Sequence, residues 1–185
     1  MNIKSYLIVL IVITFLVSCG DDVLPKPKAM LRLEYPESPL ENLVTEKFEF
    51  EHNSQAIIKK NKNLSVTLDY PLMKGSIFIT YKEVDNNLEE LLADAQKLSY
   101  EHVVKADNIT EQPFVNEKDG VYGMFYEVLG DAASQAQFYV TDSTQHFVTG
   151  SLYFRAKPNY DSIYPAAIYL QKDIRKIMES LRWRE

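Results

Sequence analysis

The chain has 185 residues, with 26 acidic against 20 basic side chains and a formal charge of −6. That balance excludes nucleic-acid binding through a general positive field, and the length allows one domain with a leader and a tether. A single cysteine excludes an internal disulfide and any cysteine cluster for metal.

The leader comes first. Lys4 supplies a positive end, Tyr6 to Ile13 is continuously apolar, and Phe15-Leu16-Val17 extends the run after Thr14. The run is about a dozen residues, short of the ~18 expected of a spanning helix. Residues 1–18 therefore have the three-part form of a secretory signal, the alternative being an uncleaved membrane anchor. Leu16-Val17-Ser18-Cys19 puts small or apolar residues directly before the lone cysteine, as in a bacterial lipoprotein signal. In this reading the chain is cut between Ser18 and Cys19, and Cys19 carries lipid on its sulfur and its new amino group. Several acyl chains (palmitate-type) make release from the membrane negligible, where one would give marginal binding. Lipidation also disposes of an otherwise exposed thiol in an oxidising compartment. The leader holds one basic and no acidic residue, so the remaining chain falls to −7.

Residues 19–44 read as a tether. Gly20-Asp21-Asp22-Val23-Leu24-Pro25-Lys26-Pro27-Lys28 fits neither a helix nor a central strand. It is an extended spacer, with Asp21 and Asp22 a candidate sorting mark. Leu31, Leu33 and Tyr35 then alternate with Arg32 and Glu34 in a short strand-like segment closed by Pro36. Pro25-Lys26-Pro27-Lys28, then Leu31-Arg32-Leu33-Glu34-Tyr35-Pro36, shortly after a lipoprotein signal, resembles the gliding-motility lipoprotein D family (GldD). The chain length and the ending Met178-Glu179-Ser180-Leu181-Arg182-Trp183 are similar too, so the resemblance covers essentially the whole chain.

Residues 45–185 read as one α+β domain. Lys47–His52, Leu64–Tyr70 and Gly75–Glu83 alternate as strands, the second ended by Tyr70-Pro71. A helix follows, with Asn87 and Glu90 in a capping-box pattern and Leu88, Leu91, Leu92, Ala95, Leu98, His102 and Val103 on one face. Four strands come next, near 109–116, 121–129, 133–141 and 145–155. Glu117-Lys118-Asp119-Gly120, Gly130-Asp131 and Asp142-Ser143-Thr144 are the turns between them. A closing helix starts near Asp161 or Ser162, with Pro165 in its first turn and a stripe of Ile163, Ala167, Leu170, Ile174, Ile177, Met178 and Leu181. The expected architecture is a central antiparallel sheet of six to seven strands flanked by two main helices, an order that resembles the PsbP-like sandwich. The basic excess of the last stretch, with Arg155, Lys157, Lys172, Arg175, Lys176, Arg182 and Arg184, reads as a solvated helix face.

Chemistry is hard to find in this pattern. His52, His102 and His146 lie one to an element, with no metal-ligand spacing. The glycines form no phosphate-cradling loop, and no two acids stand out as an acid/base pair. The expectation is a protein without catalytic residues, metal or cofactor. Asp142-Ser143-Thr144 and Asp161-Ser162-Ile163 resemble a short O-glycan acceptor pattern of some gliding bacteria, which makes Ser143 and Ser162 candidate acceptors. Turn and N-cap chemistry explains both serines equally well.

What the resemblance implies is an envelope lipoprotein needed for gliding motility and the linked type IX secretion machinery. It would act by binding and stabilising partner envelope proteins, other gliding lipoproteins or membrane proteins. Its domain would lie on the periplasmic or outer side of the membrane that holds Cys19. Arg32, Tyr35 and Pro36 are candidate partner contacts, able to add to a sheet edge, unless the segment packs on its own domain. The rival reading is a module that binds a small ligand or glycan. A deep pocket lined by Tyr122, Tyr126, Tyr139 or Tyr153 would favour that reading, and a filled sheet-helix interface would disfavour it.

Overall fold

A computed structural model describes residues 35–101, 105–155 and 159–184. The leader, Ser18, Cys19, Arg32, and His102 and Val103, which the spacing predicts on the first helix, lie outside the described residues.

Three strands open the chain: β1 (Leu40–Val44), β2 (Phe48–Asn53) and β3 (Ile57–Lys60). Then come β4 (Val66–Tyr70), β5 (Gly75–Glu83) and helix α1 (Leu88–Tyr100). Four long strands follow: β6 (Ala106–Asn116), β7 (Val121–Gly130), β8 (Ser134–Thr141) and β9 (His146–Phe154). Helix α2 (Tyr160–Ser180) and the short β10 (Arg182–Trp183) close the fold. Seven strands form one antiparallel sheet in the order β3-β4-β5-β9-β8-β7-β6, and β1-β2-β10 form a second, small sheet. This is the expected α+β sandwich with a helix on each face of a central sheet.

The elements form for local reasons. In β4 and β5, Val66 and Leu68 flank Thr67, Ile77 and Ile79 flank the exposed Phe78, and the register places the four buried residues on one face. The β6–β7 hairpin closes through Gly120 at φ +63°, a left-handed position open to glycine at no cost. Asn116 Oδ1 accepts from Asp119 N in the same turn. In the β8–β9 turn Asp142 Oδ1 accepts from the main-chain N–H groups of Thr144, Gln145 and His146, the Asx chemistry that short turns favour.

Packing is unequal on the two faces. Leu170, Ile174, Ile177 and Met178 of α2 meet Leu68, Ile77, Phe138, Val140, Val148 and Leu152 in one apolar core, which Phe48 and Phe50 of β2 join. Each such burial contributes roughly 1.5–3 kcal/mol, so this face carries most of the stability. Phe138 faces Gly150 across the β8–β9 pair, and a Cβ there would lie 2.1 Å from its ring. On the opposite face, α1 covers a smaller cluster of Leu91, Ala95 and Phe147, with Tyr139 beside them.

Several local expectations are corrected. The Lys47–His52 segment does form a strand, but it leaves the main sheet and sits centrally between β1 and β10. The vacant edge is taken by β3, whose Ile-Ile-Lys-Lys sequence has no alternation. β1 lies inside the stretch read as tether. Asn87 forms no capping box; its side chain accepts from Asp85 N at 2.8 Å, ahead of the helix. Leu98 is exposed and Ser99 is buried in its place, donating to Gln137 Oε1 at 2.9 Å. Asn159 caps α2, which begins at Tyr160. Pro165 therefore falls in the second turn, beyond the positions whose N–H needs no helical acceptor.

Candidate functional site

Two adjoining features at one end of the domain form the most built-up surface. The first is set by the ends of β2 and β4 and the middle of α2; the second, on the other face of the sheet, by β3, the end of β4, the start of β5 and the end of β9.

The first is the seam where the tether meets the domain. Tyr35 lays its ring on Tyr169 of α2, centroids 5.3 Å apart. The Tyr169 hydroxyl donates to the main-chain carbonyl of Pro36 at 2.9 Å and accepts from Asn53 Nδ2 at 2.8 Å. The same Asn53 amide donates to Asp173 Oδ2 at 3.0 Å. Tyr70 also faces Asp173. Burial pushes the Asp173 carboxyl up to about 6, and the Asn53 amide, with the facing Tyr70 phenol and His52 nearby, offsets only part of that. Burial and the neighbouring acid likewise raise the Tyr70 phenol. So a chain of polar contacts links Pro36 to an acid to which, among the described residues, no cation is hydrogen-bonded. Tyr35 and Pro36, two of the three candidate partner contacts, are both engaged with this seam.

The second is a basic corner beside it. Asp69 is 5% exposed and accepts from Ser76 Oγ at 2.9 Å, Lys59 Nζ at 3.2 Å and Arg155 Nη2 at 2.6 Å. Burial alone would raise this carboxyl, but those hydrogen bonds and the two cationic charges outweigh it and hold it below the ordinary carboxylate range. The β4–β5 turn projects from the corner. Pro71–Met73 is a single 3-10 turn, closed by Lys74 in the left-handed region with its N–H on the Pro71 carbonyl. The Lys74 carbonyl accepts from Arg155 N at 2.7 Å. Met73 is buried beneath the turn, while Leu72 stands 96% exposed.

The remaining candidates are apart from this end. Ser143 is exposed in its turn at φ +67°, its N–H on Thr141 Oγ1. Ser162 is also exposed; its hydroxyl donates to the carbonyl of Asn159 and its N–H to the cap. His52 is buried with Nδ1 2.9 Å from the Asn53 carbonyl. His146 lies 2.9 Å from the Tyr81 hydroxyl and stacks on Trp183 at 5.1 Å. Among the described residues no group of three His, Cys, Asp or Glu side chains is placed to hold a metal ion. Of the four tyrosines named for a pocket, Tyr126 is buried, and Tyr139 stacks on Phe147 at 5.7 Å. Tyr122 is exposed, and Tyr153 meets Phe78 edge-on with centroids 5.9 Å apart.

The model of the family "Gliding motility lipoprotein GldD" matches residues 20–183. The chain belongs to the GldD family. No curated protein matches it. Membership makes this a gliding motility lipoprotein of the cell envelope, a class not known for catalysis. Among the described residues of this GldD chain no helix is long and apolar enough to cross a membrane.

Sequence reasoning passed over Asn53, Tyr70, Tyr169 and Asp173 as a set. One signal was available: Asp173 sits at helical spacing from Leu170 and Ile177 on the edge of the buried stripe, where a solvated face would not bring it.

Proposed function

We propose that this GldD chain is held on a membrane by lipid on Cys19, after cleavage between Ser18 and Cys19. In this reading it serves gliding motility and the linked type IX secretion machinery by binding and stabilising other envelope lipoproteins or membrane proteins. The observation that carries this is the family match, which runs from residue 20, next to Cys19, to residue 183. The work is contact rather than turnover: a protein that binds only the folded partner raises its abundance by mass action.

Arg32 is the proposed contact, with Tyr35 and Pro36, which pack on the domain's own Tyr169, as the residues that position it. The seam supports a specific version, in which Tyr35 and Pro36 hold the segment at a fixed exit while Arg32 lies beyond it, toward the anchor. Crosslinking from position 32 in intact cells should capture an envelope protein. Arg32→Ala, with Tyr35→Ala as a second variant, should lower the abundance of that protein and impair gliding. Normal abundance and normal gliding in both variants would remove these residues from the account.

A further inference from the structure

The exposed leucine of the β4–β5 turn is used by nothing described so far. Most surface leucines lean on a neighbour; Leu72 is 96% exposed. It is held out by a rigid support: Pro71 before it, buried Met73 after it, Lys74 in the left-handed region, and Arg155 N bonded back to the Lys74 carbonyl. Ile57, also exposed, begins the neighbouring strand β3, opposite Asp69. Around this apolar tip stand Lys74, Lys59 and Arg155, the last two with side chains 57% and 60% exposed. Asp69 neutralises one of these three charges, so the tip is ringed by net positive charge in a chain that is acidic as a whole.

Its place in the fold says what it faces. Gln55 lines the same shallow depression as Tyr70, Pro71, Leu72 and Met73. Gln55 follows Asn53, whose amide contacts Tyr169 and Asp173, and Tyr169 holds Pro36. The tether therefore leaves the domain beside the tip. Cys19 can be no farther from Tyr35 than roughly 55 Å of extended chain. An apolar tip in a ring of cations is the pattern that enters the headgroup boundary of an anionic bilayer.

We propose that the Pro71–Lys74 turn is a membrane-contact site, with Leu72 entering the acyl boundary and Lys74, Lys59 and Arg155 meeting anionic headgroups. This rests on the reading of Cys19 as the lipid carrier. The lipid supplies attachment and raises the local concentration of bilayer at the tip; the tip supplies orientation. The acidic residues Asp107, Asp131 and Asp161 stand at the β6–β7 side of the same end, so the domain would tilt with its β3 edge down and those acids lifted away.

The test uses the full acylated chain carrying Leu72→Cys. With Cys19 acylated, the new thiol is the one free to take an environment-sensitive dye. Glu117→Cys, exposed in the β6–β7 turn at the other end of the strands, is the control. The protein is reconstituted in vesicles of phosphatidylethanolamine and phosphatidylglycerol. The dye at 72 should shift its emission to the blue and be quenched several-fold more by acyl-chain spin labels than the dye at 117. Replacing phosphatidylglycerol with phosphatidylcholine, or adding Lys74→Glu, should weaken both effects. A dye at 72 as wet as at 117, on protein whose Cys19 mass shows the lipid, overturns the contact alone. Unmodified Cys19 overturns the anchor and the contact with it. Shielding that needs added solubilised envelope proteins and ignores vesicles overturns the lipid assignment in favour of a protein contact.

Discussion

Asp69 in the basic corner and Asp173 in the tether seam lie toward one end of the domain but on opposite faces of the sheet, both drawn out of water. They respond in opposite directions. Asp69 is the more deeply buried by exposure, yet it is held below the ordinary value, because Ser76, Lys59 and Arg155 all favour the charged form. Asp173 is pushed up to about 6 by burial, because the groups facing it, the Asn53 amide that donates to it and the Tyr70 phenol, carry no formal charge. Exposure alone therefore does not rank the two: Asp173 carries the heavier desolvation among neutral partners, and Asp69 the stronger set of charged ones. The corner is an electrostatically closed unit that braces a projecting turn. The seam is an under-compensated one that clamps a tether.

The comparison is broken most strongly by Asp69→Ala. It strips the acceptor from a buried serine hydroxyl and leaves two cations facing each other. Hydrogen bonds to a charged group are each worth ~1.5–3 kcal/mol, but Lys59 and Arg155 are more than half exposed and can return to water. The expected loss is about 2 kcal/mol at neutral pH, read from the urea midpoint at constant slope. The sign with pH follows from the depressed carboxyl. The contribution of Asp69 is present above its unfolded value near 3.8 and is lost as pH falls through the lower folded value. Asp69→Ala should therefore flatten the acid limb of the stability profile.

Asp173→Asn should act in the other direction and more weakly. Its folded value is the higher one, so the folded state binds more protons between pH 3.8 and about 6. Stability from this group is complete below the unfolded value and declines as pH rises through the folded one. An asparagine keeps an acceptor for Asn53 and Tyr70 without the buried charge. The variant should match the parent at the bottom of that window and exceed it by roughly 1 kcal/mol above it, after discounting for partial exposure. Urea midpoints at both ends of the window check this; equal midpoints at the high end would show that a cation does compensate Asp173.

The two regions also differ in what the sequence reveals. The corner's framework is legible: Gly75–Glu83 alternates, Tyr70-Pro71 ends a strand, and the turn must lie between. The four-strand run from β6 to β9 is legible for the same reason, since alternation and turn residues such as Asp119-Gly120 act over neighbouring positions. β3 escapes because four residues without alternation have no period to read. The departure of β2 into a second sheet escapes because alternation gives a strand its faces, not its partner. The seam is the least legible part. Asn53 and Asp173, or Pro36 and Tyr169, are joined across most of the chain, and a polar contact of that span leaves no periodic trace. Ser99 and Gln137 make the same point in the α1 interface, where a hydroxyl displaces Leu98 from the buried side.

The smallest expected effect is the one that isolates the clamp. Tyr169→Phe keeps the ring on Tyr35 and removes the hydroxyl that joins Pro36 to Asn53. The Pro36 carbonyl is near solvent and can turn to water, but the buried Asn53 amide loses one of its two acceptors, so the loss should cost about 1 kcal/mol. The domain loses little stability, while the segment around Arg32 and Tyr35 becomes easier to cut. Trypsin cleavage at Arg32 should accelerate by more than the small drop in urea midpoint accounts for, because local opening is governed by the contacts of that segment and not by the core. Tyr35→Ala, which also removes the ring contact, should accelerate it further. If both variants are cut at the parental rate, the seam does not hold the tether, and the exit of the chain beside Leu72 loses its fixed geometry. The same measurement thus bears on how the basic corner is aimed, since a tip can be directed at a surface only if the chain leading to that surface leaves from a constant place.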